Sequence, residues 1–473
     1  MRQCVAVLAM ALASTALWPA VASAGGFFLT ERGARPLSRG FAFVAGADDA
    51  SAIWHNPAGL ADVGRSLFMD FTLSNMYGDF TRINSGGEVL PSVEIDHTLL
   101  PIPMIAWTDN FGLEDFTFGI AGIAPNGLQL QWPTGVTSID GEAEPAPQRY
   151  SLLTMEGSVF AVGALSAAWT PIRGLSVGAS LNAILGGFRI RVNISACDQV
   201  LCSQPENPEY DAEVEMHQSS TFELNARFGI RYTVGRLRIG AMFSTPYTIG
   251  GEAKIRVRLP DASIFRGARV DGDTIELGLP FPWVASLGIE LSPTPDLRIE
   301  AAAVYEAWSR QSEVSVTPQN VWIRNASAVG DYQVGPLNIQ RQMSDVLSLR
   351  VGGEYAIPDS PFRLAAGVCY ENSSFKDAYL TPLTLDSDKL VVGLGMSIRV
   401  NPEWEVTVSY GHVFMRDRDV RNSAVTQSNP IRPPGAESDP APFGPVYLGN
   451  GAYRMEADIF GIGLEWRPAV TQE

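Results

Sequence analysis

Histidine and cysteine are both scarce in this 473-residue chain, with four of each. The histidines are His55, His97, His217 and His412, and no serine and acidic partners that would complete a hydrolase triad can be identified for them. We find no nucleotide-binding loop and no metal-ligand spacing, so we predict neither a cofactor nor a metal, and no enzymatic activity. The net charge of -17 argues against a nucleic-acid partner.

Long apolar runs are also missing. Beyond the first 24 residues no stretch of about 18 apolar residues occurs, which argues against membrane-spanning helices. Residues 1–24 have the pattern of a secretory signal peptide, with Arg2 before an apolar segment from Val5 to Leu17 and a small-residue cleavage site at Ala22-Ser23-Ala24. The mature chain is therefore predicted to begin at Gly25.

The chain is rich in segments where apolar and polar residues alternate with a period of two, which is typical of β-strands. Fourteen such segments can be identified between Leu67 and Trp466. The clearest runs from Phe222 to Tyr232, where apolar residues alternate with charged and small ones. Alternation alone does not distinguish a barrel in lipid from a soluble sandwich, because both have one polar and one apolar face.

The connections between these segments make the distinction. Six are tight and rich in Pro, Gly, Asn or Asp: 109–115, 170–174, 234–236, 292–296, 358–361 and 401–403. Seven are long: 81–96, 124–156, 192–220, 259–281, 309–344, 376–387 and 417–452. Short and long connections alternate, as in outer-membrane barrels with short periplasmic turns and long external loops. We predict an all-β, 14-stranded antiparallel transmembrane β-barrel over 66–473, in contact with outer-membrane lipid and lipopolysaccharide.

Residues 25–65 precede the first predicted strand and show no sustained alternation. They combine several glycines with apolar residues such as Phe41, Phe43, Ile53 and Trp54, which need a surface to bury against. A segment placed there can fold into the lumen as a plug. The alternative, a disordered periplasmic arm, is disfavoured by the apolar content.

The same segment carries a family resemblance. Gly25 to Glu31, Ser38-Arg39-Gly40 and above all Ala47 to Leu60, with Asn56, Pro57, Ala58 and Gly59, resemble the amino-terminal hatch of the FadL family of outer-membrane transporters for long-chain fatty acids and, in some branches, aromatic hydrocarbons. The resemblance implies a hatch over 25–65, an apolar pocket in the barrel, and a kinked third strand that leaves a lateral opening. The matching residues for that opening are Pro125, Asn126 and Gly127, which could equally begin the long loop.

Candidate lumen residues are identified by their position in the alternation, which places them on the strand face opposite the apolar, lipid-facing residues. Inward arginines could hold a substrate head group or could join a lumen salt-bridge network; the candidates are Arg227, Arg231 and Arg350 with Glu223 and Glu354, and on the same phase argument Arg189, Arg191, Arg238 and Arg363. The long connection 192–220 is acidic where an apolar capture surface would be expected, which leaves neutral hydrophobic substrates open.

Two further expectations concern cysteine and the last strand. Cys197 and Cys202 are close enough in sequence to form a disulfide in an oxidising compartment, whereas Cys369 is expected to fill space in the lumen. The apolar phase slips between Ile459 and Phe460, which predicts a bulge at Gly461 or Gly463.

The predicted function is passive uptake of hydrophobic small molecules, such as long-chain fatty acids, across the outer membrane by a monomer. Loop capture, an apolar pocket, hatch rearrangement and lateral release would form the route, since each buried methylene returned to water costs about 0.8 kcal/mol. The alternatives are a channel specific for monoaromatic hydrocarbons, and a non-specific porin or structural barrel.

Overall fold

The computed structural model describes residues 32–96, 98–124, 130–137, 141–155, 158–197, 206–327, 329–427, 429–432 and 445–468. Outside these ranges lie the predicted signal peptide 1–24, the motif Gly25 to Glu31, the predicted opening Pro125-Asn126-Gly127, and Cys202.

Fourteen antiparallel strands form a closed barrel, which confirms the predicted fold class. The strands are β1 (Ser66–Ile83), β2 (Thr98–Asp109), β3 (Phe116–Ile123), β4 (Val159–Ile172), β5 (Leu175–Ser195), β6 (Asp211–Val234), β7 (Leu237–Ser244), β8 (Val284–Leu291), β9 (Leu297–Glu306), β10 (Val346–Ala356), β11 (Phe362–Glu371), β12 (Lys389–Asn401), β13 (Trp404–Met415) and β14 (Gly451–Trp466). Each strand pairs with the next, and β14 pairs with β1 from Leu67↔Trp466 to Arg82↔Gly451. Closure leaves no free strand edge in lipid.

The outer surface of the barrel is apolar in its membrane portion. On β6, Phe222, Phe228 and Tyr232 are 62%, 51% and 45% exposed, while Asn225 and Arg231 between them are buried. The alternation that the sequence shows thus separates a lipid face from a lumen face.

The long connections add sheet and short helices on the extracellular side. The additional strands are Val89–Glu94, Gly135–Thr137, Ala143–Pro145, Tyr247–Arg258, Arg269–Asp271, Thr274–Phe281, Glu313–Pro318, Trp322–Ala326, Gly330–Gln333, Leu337–Gln340 and Arg418–Val420. Single 3-10 turns are Pro208–Tyr210, Ser263–Phe265, Trp308–Arg310 and Asp377–Tyr379.

The predicted loop 192–220 is largely strand. β5 continues to Ser195 and β6 begins at Asp211, and the pairing shifts by one residue between Gly186↔Thr221 and Phe188↔Gln218. This bulge inverts the phase of the upper part of β6, because one extra residue moves every following side chain to the other face. The acidic residues in this part of β6 therefore belong to a hairpin and not to a solvated loop.

The predicted inward orientation of Arg189 and Arg191 is wrong. On β5 the odd positions face outward, as shown by the exposed Leu181 and Leu185, and the two arginines continue that series. Their side chains are 46% and 36% exposed. The two-residue alternation predicted for β5 was correct. The sequence alone could not show where its outward face changes from apolar residues in lipid to charged residues above the lipid.

The predicted bulge in β14 is also wrong. β14 pairs with β1 and β13 without a register shift. Its inward face carries the apolar Met455, Ala457 and Ile459 and then continues with Gly461. The apparent phase slip arises because the lumen itself is apolar in its extracellular half and is lined by glycine where the hatch packs.

The hatch, residues 32–65 in the described part, lies inside the barrel. It contains α1 (Ala34–Ser38), α2 (Ala52–His55) and a 3-10 helix over Pro57–Asp62. Nearly all of its residues are buried. Within the described ranges, every helix falls short of the length and apolar content that a bilayer crossing demands.

Candidate functional site

Buried ion pairs attach the hatch to the barrel wall. Arg35 of α1 donates from Nε and Nη2 to the two carboxylate oxygens of Glu354 on β10, at 2.7 and 3.0 Å. Arg39 donates to Glu290 at 2.8 Å and to Glu300 at 3.1 Å. An ion pair with two hydrogen bonds fixes the orientation of the arginine side chain in addition to neutralising its charge.

Asp48 extends this network from the hatch side. Its carboxylate lies 2.8 Å from Arg35, 2.8 Å from Arg298 on β9 and 3.1 Å from Arg238 on β7. Burial alone would raise the pKa of Asp48, but Arg35, Arg298 and Arg238 hold that pKa well below its usual value. The carboxylate is therefore ionised at neutral pH.

Glu300 on β9 binds the hatch backbone directly. One carboxylate oxygen accepts hydrogen bonds from the amides of Val44 and Ala45 at 2.7 and 2.9 Å, and the other accepts from Gly46 at 3.0 Å. These three amides would otherwise be buried without partners, which is costly. The bend at 44–46 is thus held by a wall residue.

The Asn56-Pro57-Ala58 motif is a local turn that also contacts the wall. The Asn56 side chain accepts from the amide of Ala58 at 3.2 Å and donates to the carbonyls of Val44 at 2.9 Å and Ile230 on β6 at 3.4 Å. Pro57 begins the 3-10 helix, where it needs no backbone donor. A Cβ at Gly59 would lie 1.9 Å from the carbonyl oxygen of Ala47, so glycine is required there.

Inward-facing glycines of the barrel form the seat for the hatch. A Cβ added at any of eight positions would come within 2.9 Å of a hatch backbone atom: Gly178, Gly229, Gly240, Gly288, Gly352, Gly367, Gly393 and Gly461. These glycines lie on β5, β6, β7, β8, β10, β11, β12 and β14. The hatch therefore contacts the wall backbone to backbone around much of the barrel.

The predicted lumen residues mostly contact the hatch. Arg227 donates to the carbonyl of Trp54 and lies 3.5 Å above its ring, and Arg231 lies 2.8 Å from Asp62. Arg350 donates to the carbonyl of Phe41 at 3.3 Å. Glu223 is half-buried and forms no ion pair within the described ranges. The hatch partners Arg35, Arg39 and Asp48 were not singled out from the sequence, although charged residues in a glycine-rich apolar segment were a signal.

Among the described residues, the pairing of β3 ends earlier than that of its neighbours β2 and β4. β3 pairs with β2 and β4 only up to Ile123, whereas β2 continues over residues 98–102 and β4 over 159–161 without it. The carbonyl of Ala124, directly after β3, accepts a hydrogen bond from Arg32 of the hatch. Residues 125–127 lie outside the described ranges, so the predicted opening there stays a prediction.

An apolar cleft of about 130 Å³ lies above the hatch, among the extracellular hairpins. It is lined by Tyr150, Ile190, Val192, Ile194, Met216, Leu337, Ile339, Leu383, Val425 and Leu448, with polar but uncharged residues between them. The acidic residues of β6 do not enter it, because Val214 and Met216 face inward while Glu213 and Glu215 face outward. The acidic sequence between 192 and 220 therefore does not argue against an apolar capture surface.

Arg341 is a buried cation directly after the strand Leu337–Gln340 that forms one side of this cleft. It is 5% exposed, and its guanidinium donates to the neutral Oε1 of Gln311 at 3.0 Å. Burial lowers the pKa of Arg341 to about 10, and no carboxylate of the described residues forms an ion pair with it. The sequence did not indicate this residue, because it lies in the predicted long connection 309–344.

The cysteine predictions are partly covered by the described residues. Cys197 is disulfide-bonded. Cys202 lies outside the described ranges, so the pairing of these two residues stays a prediction. Cys369 is a buried free thiol, 3.3 Å from the hydroxyl oxygen of Ser348.

A closed 14-stranded barrel with an inserted amino-terminal hatch defines a class of plugged outer-membrane channels. Residues 15–438 match the model of the family described as outer membrane protein transport protein (OMPP1/FadL/TodX). The chain belongs to this family, whose members are outer-membrane transporters of hydrophobic compounds in Gram-negative bacteria. The predicted family is thereby confirmed.

Solved structures agree on the fold. A FadL homologue from Pseudomonas aeruginosa superposes with a TM-score of 0.72 at 15% identity, covering 94% of this chain and 99% of that one. The toluene transporters TodX from Pseudomonas putida and TbuX from Ralstonia pickettii give TM-scores of 0.63 and 0.57 at 12% and 13% identity, each covering 93% of this chain and 99% of the other. Comparison with curated protein sequences gives no match.

Proposed function

We propose that this protein takes up long-chain fatty acids, or closely related amphiphiles with an anionic head group, by passive diffusion through the barrel. The observation that carries the proposal is Arg341, a buried arginine that forms no ion pair with a described carboxylate and directly follows the strand on one side of the uncharged apolar cleft. A buried charge is expensive unless it is paired. A substrate carboxylate would supply the missing partner, while the apolar cleft receives part of the chain.

The route follows from the order of these features. When the cleft binds the substrate from outside, it removes the hydrocarbon chain of the substrate from water. Each methylene removed from water contributes about 0.8 kcal/mol to binding. The hatch closes the periplasmic end of the lumen, so passage requires either that the hatch rearranges or that the substrate leaves sideways. The predicted opening at Pro125, Asn126 and Gly127 would provide the sideways exit, and the hydrogen bond from Arg32 to the carbonyl of Ala124 connects the residue before it to the hatch.

Arg341→Gln tests the head-group role. Uptake and binding of a long-chain fatty acid should fall about tenfold, the order expected for a charge-assisted hydrogen bond. The methyl ester of the same acid, which has the same chain without the charge, should be unaffected. The measurements are uptake by cells that lack the native protein and express each variant, and equilibrium binding of labelled acid and ester to the purified barrel.

Arg310→Gln serves as the matched control, because Arg310 is an exposed arginine on the same side of the barrel. If Arg341→Gln reduced uptake and binding of the acid and of the ester equally, the cause would be a packing defect, and the proposed head-group role of Arg341 would be refuted. Equal uptake of acids, alkanes and monoaromatics with and without the protein, at verified expression, would refute transport itself.

A second candidate is uptake of neutral aromatic hydrocarbons. Tyr247 and Phe281 stack at 4.7 Å and 3°, and Phe281 lies 5.9 Å from Trp308, so aromatic surface borders the same region. Two of the similar structures are toluene transporters. Faster uptake of toluene than of fatty acid, unchanged in Arg341→Gln, would favour this candidate.

A further inference from the structure

A row of cations lies on the outer surface of the barrel just above the lipid-facing band. The basic strip, as we call it, consists of Arg189 and Arg191 on β5 and Lys254, Arg256 and Arg258 on the strand Tyr247–Arg258. The three cations of that strand are exposed, while Ala253 before them and Ile255 between the first two are buried in the core. The strip therefore faces away from the lumen.

β6 lies between the two rows of cations. The bulge of β6 places Glu213, Glu215 and His217 on the same outward face, where Lys254, Arg256 and Arg258 pair in register with His217, Glu215 and Glu213. Without the bulge, the acidic residues would point into the apolar cleft. The phase inversion thus creates both the apolar lumen wall and the charged outer face.

The height of the strip matches the outer boundary of the membrane. On β6 the lipid-facing residues run from Val234 to Phe222; at about 3.3 Å per residue and a tilt of about 45°, this stretch covers about 28 Å. That is close to the apolar band of about 25 Å in outer-membrane barrels. The basic strip begins directly beyond it, at the level of the head groups of the outer leaflet.

The charge of the strip is opposite to that of the whole chain. Its five cations exceed the three carboxylates on the same faces of these strands, which are Glu213, Glu215 and Glu252, and Glu276 lies opposite Glu252 on the adjoining strand. The chain as a whole has 34 basic and 51 acidic residues. Of the neighbours, Asp211 is 2.6 Å from Arg149, and Asp273, which approaches from the adjoining loop, is 2.9 Å from Lys254.

Apart from Lys254, which pairs with Asp273 at 2.9 Å, the cations of the strip are weakly paired. Arg189 and Arg191 lie 3.7 and 3.8 Å from Glu215 and Glu213, at the long end of ion pairing. Arg256 and Arg258 form no ion pair with any described residue. An open groove of about 710 Å³ runs beside Arg256. Its lining includes the cations Lys254, Arg256 and Arg269, the carboxylates of Glu215 and Asp273, and the apolar Val257, Leu259 and Val270. A groove with cations and apolar residues fits a ligand that has phosphate groups next to acyl chains.

We propose that the basic strip binds the phosphate groups of lipopolysaccharide in the outer leaflet. The lipid A portion presents phosphates at the height of the strip and acyl chains at the height of Leu185 and Phe222 below it. Arginine side chains suit phosphate because the guanidinium donates two parallel hydrogen bonds. This proposal is independent of the transported substrate and rests only on the placement of the barrel in the outer membrane.

The test measures lipid binding to the full-length protein, purified in detergent free of lipopolysaccharide, by native mass spectrometry. The probes are bisphosphorylated lipid A, the same lipid without phosphates, and inorganic phosphate. Wild-type protein should bind bisphosphorylated lipid A, and the affinity should fall as salt is raised. Arg256→Gln/Arg258→Gln should weaken that binding about tenfold.

Arg310→Gln/Arg421→Gln is the control, since it removes the same charge from two exposed arginines elsewhere on the extracellular side. It should bind lipid A as wild type does. Equal binding of the lipid without phosphates, or wild-type affinity in Arg256→Gln/Arg258→Gln, would overturn the proposal. If inorganic phosphate bound as tightly as lipid A, the strip would be a phosphate site, and the proposal that its ligand is a lipid would be refuted.

If the double variant does not fold, as judged by heat-modifiable gel mobility, the single changes Arg256→Gln and Arg258→Gln replace it. Each should then lose affinity for bisphosphorylated lipid A by a smaller factor, and unchanged affinity in both would overturn the proposal.

Discussion

The hatch end of the lumen and its extracellular end hold their buried charges differently. At the hatch end, Arg35, Arg39 and Asp48 all have ion-pair partners on the barrel wall. At the extracellular end, Arg341 is equally buried, but within the described ranges a neutral amide is the only hydrogen-bond partner of its guanidinium. A fully paired network favours one arrangement of the chain, whereas an unpaired buried cation leaves a position for a ligand.

The two ends also differ in how the backbone is packed. The hatch contacts the wall through glycines, which allow backbone atoms to meet. The extracellular end is filled by larger apolar residues such as Met216, Ile339 and Leu383, with an open cleft between them. The first arrangement suits a closed plug and the second suits a binding surface. Four experiments would test this contrast, from the largest expected effect to the smallest.

Removing the hatch should have the largest effect. Deletion of residues 25–60 from the mature chain should raise single-channel conductance severalfold in planar bilayers, because the lumen would lose the segment that fills its periplasmic end. Unchanged conductance in a folded barrel would show that other residues close the channel, and the contrast between the two ends would fail.

Breaking the ion-pair network should reduce stability strongly. Glu354→Gln removes the carboxylate that pairs with Arg35 and Arg39. Removal of one partner of a buried ion pair lowers the free energy of unfolding by about 3–5 kcal/mol, because the other charge stays buried. Denaturant unfolding in detergent would measure it, with Glu114→Gln in an exposed short turn as the control, where the change should stay below about 0.5 kcal/mol. Similar midpoints for both variants would mean that the network does not hold the hatch.

A single methyl group at the glycine seat should loosen the plug. In Gly393→Ala the new Cβ would lie 1.9 Å from the carbonyl oxygen of Leu37, so the hatch must shift. We expect more frequent open-channel events, intermediate between wild type and the hatch deletion. Gly163→Ala is the matched control, since no atom lies within 4 Å of its Cβ position. Equal conductance of the two variants would contradict backbone contact as the seal.

Changing pH should have the smallest effect. The pKa of Asp48 is held well below its usual value, so the stability that its ionised form contributes is present above pH about 4 and is lost only as the pH falls through the lowered pKa. Conductance should therefore stay low from pH 8 to pH 4 in wild type. An opening transition between pH 6 and pH 5 would show that a different group controls the hatch.

Much of the barrel was predictable from local pattern. Alternation and connection lengths predicted fourteen strands and the short turns, because a strand in lipid must have one apolar face and a closed barrel must return to its starting side. The hatch motif around Asn56 was likewise visible, since a turn that needs Pro57 and Gly59 leaves a local signature. The failures, at Arg189, Arg191 and β14, fall where the surroundings change from lipid to head group or from hatch to apolar lumen.

The sequence by itself thus determined the strand period, the order of turns and loops, and the presence of a segment that had to be buried. Only the tertiary structure decided which charges meet: Arg35 and Glu354 are bonded although 319 positions apart. The structure likewise showed that Arg341 forms no ion pair with any carboxylate of the described residues and that a one-residue bulge turns Glu213 and Glu215 outward. Periodicity is a property of neighbouring residues, whereas ion pairing and burial depend on which distant strands the closed barrel brings together.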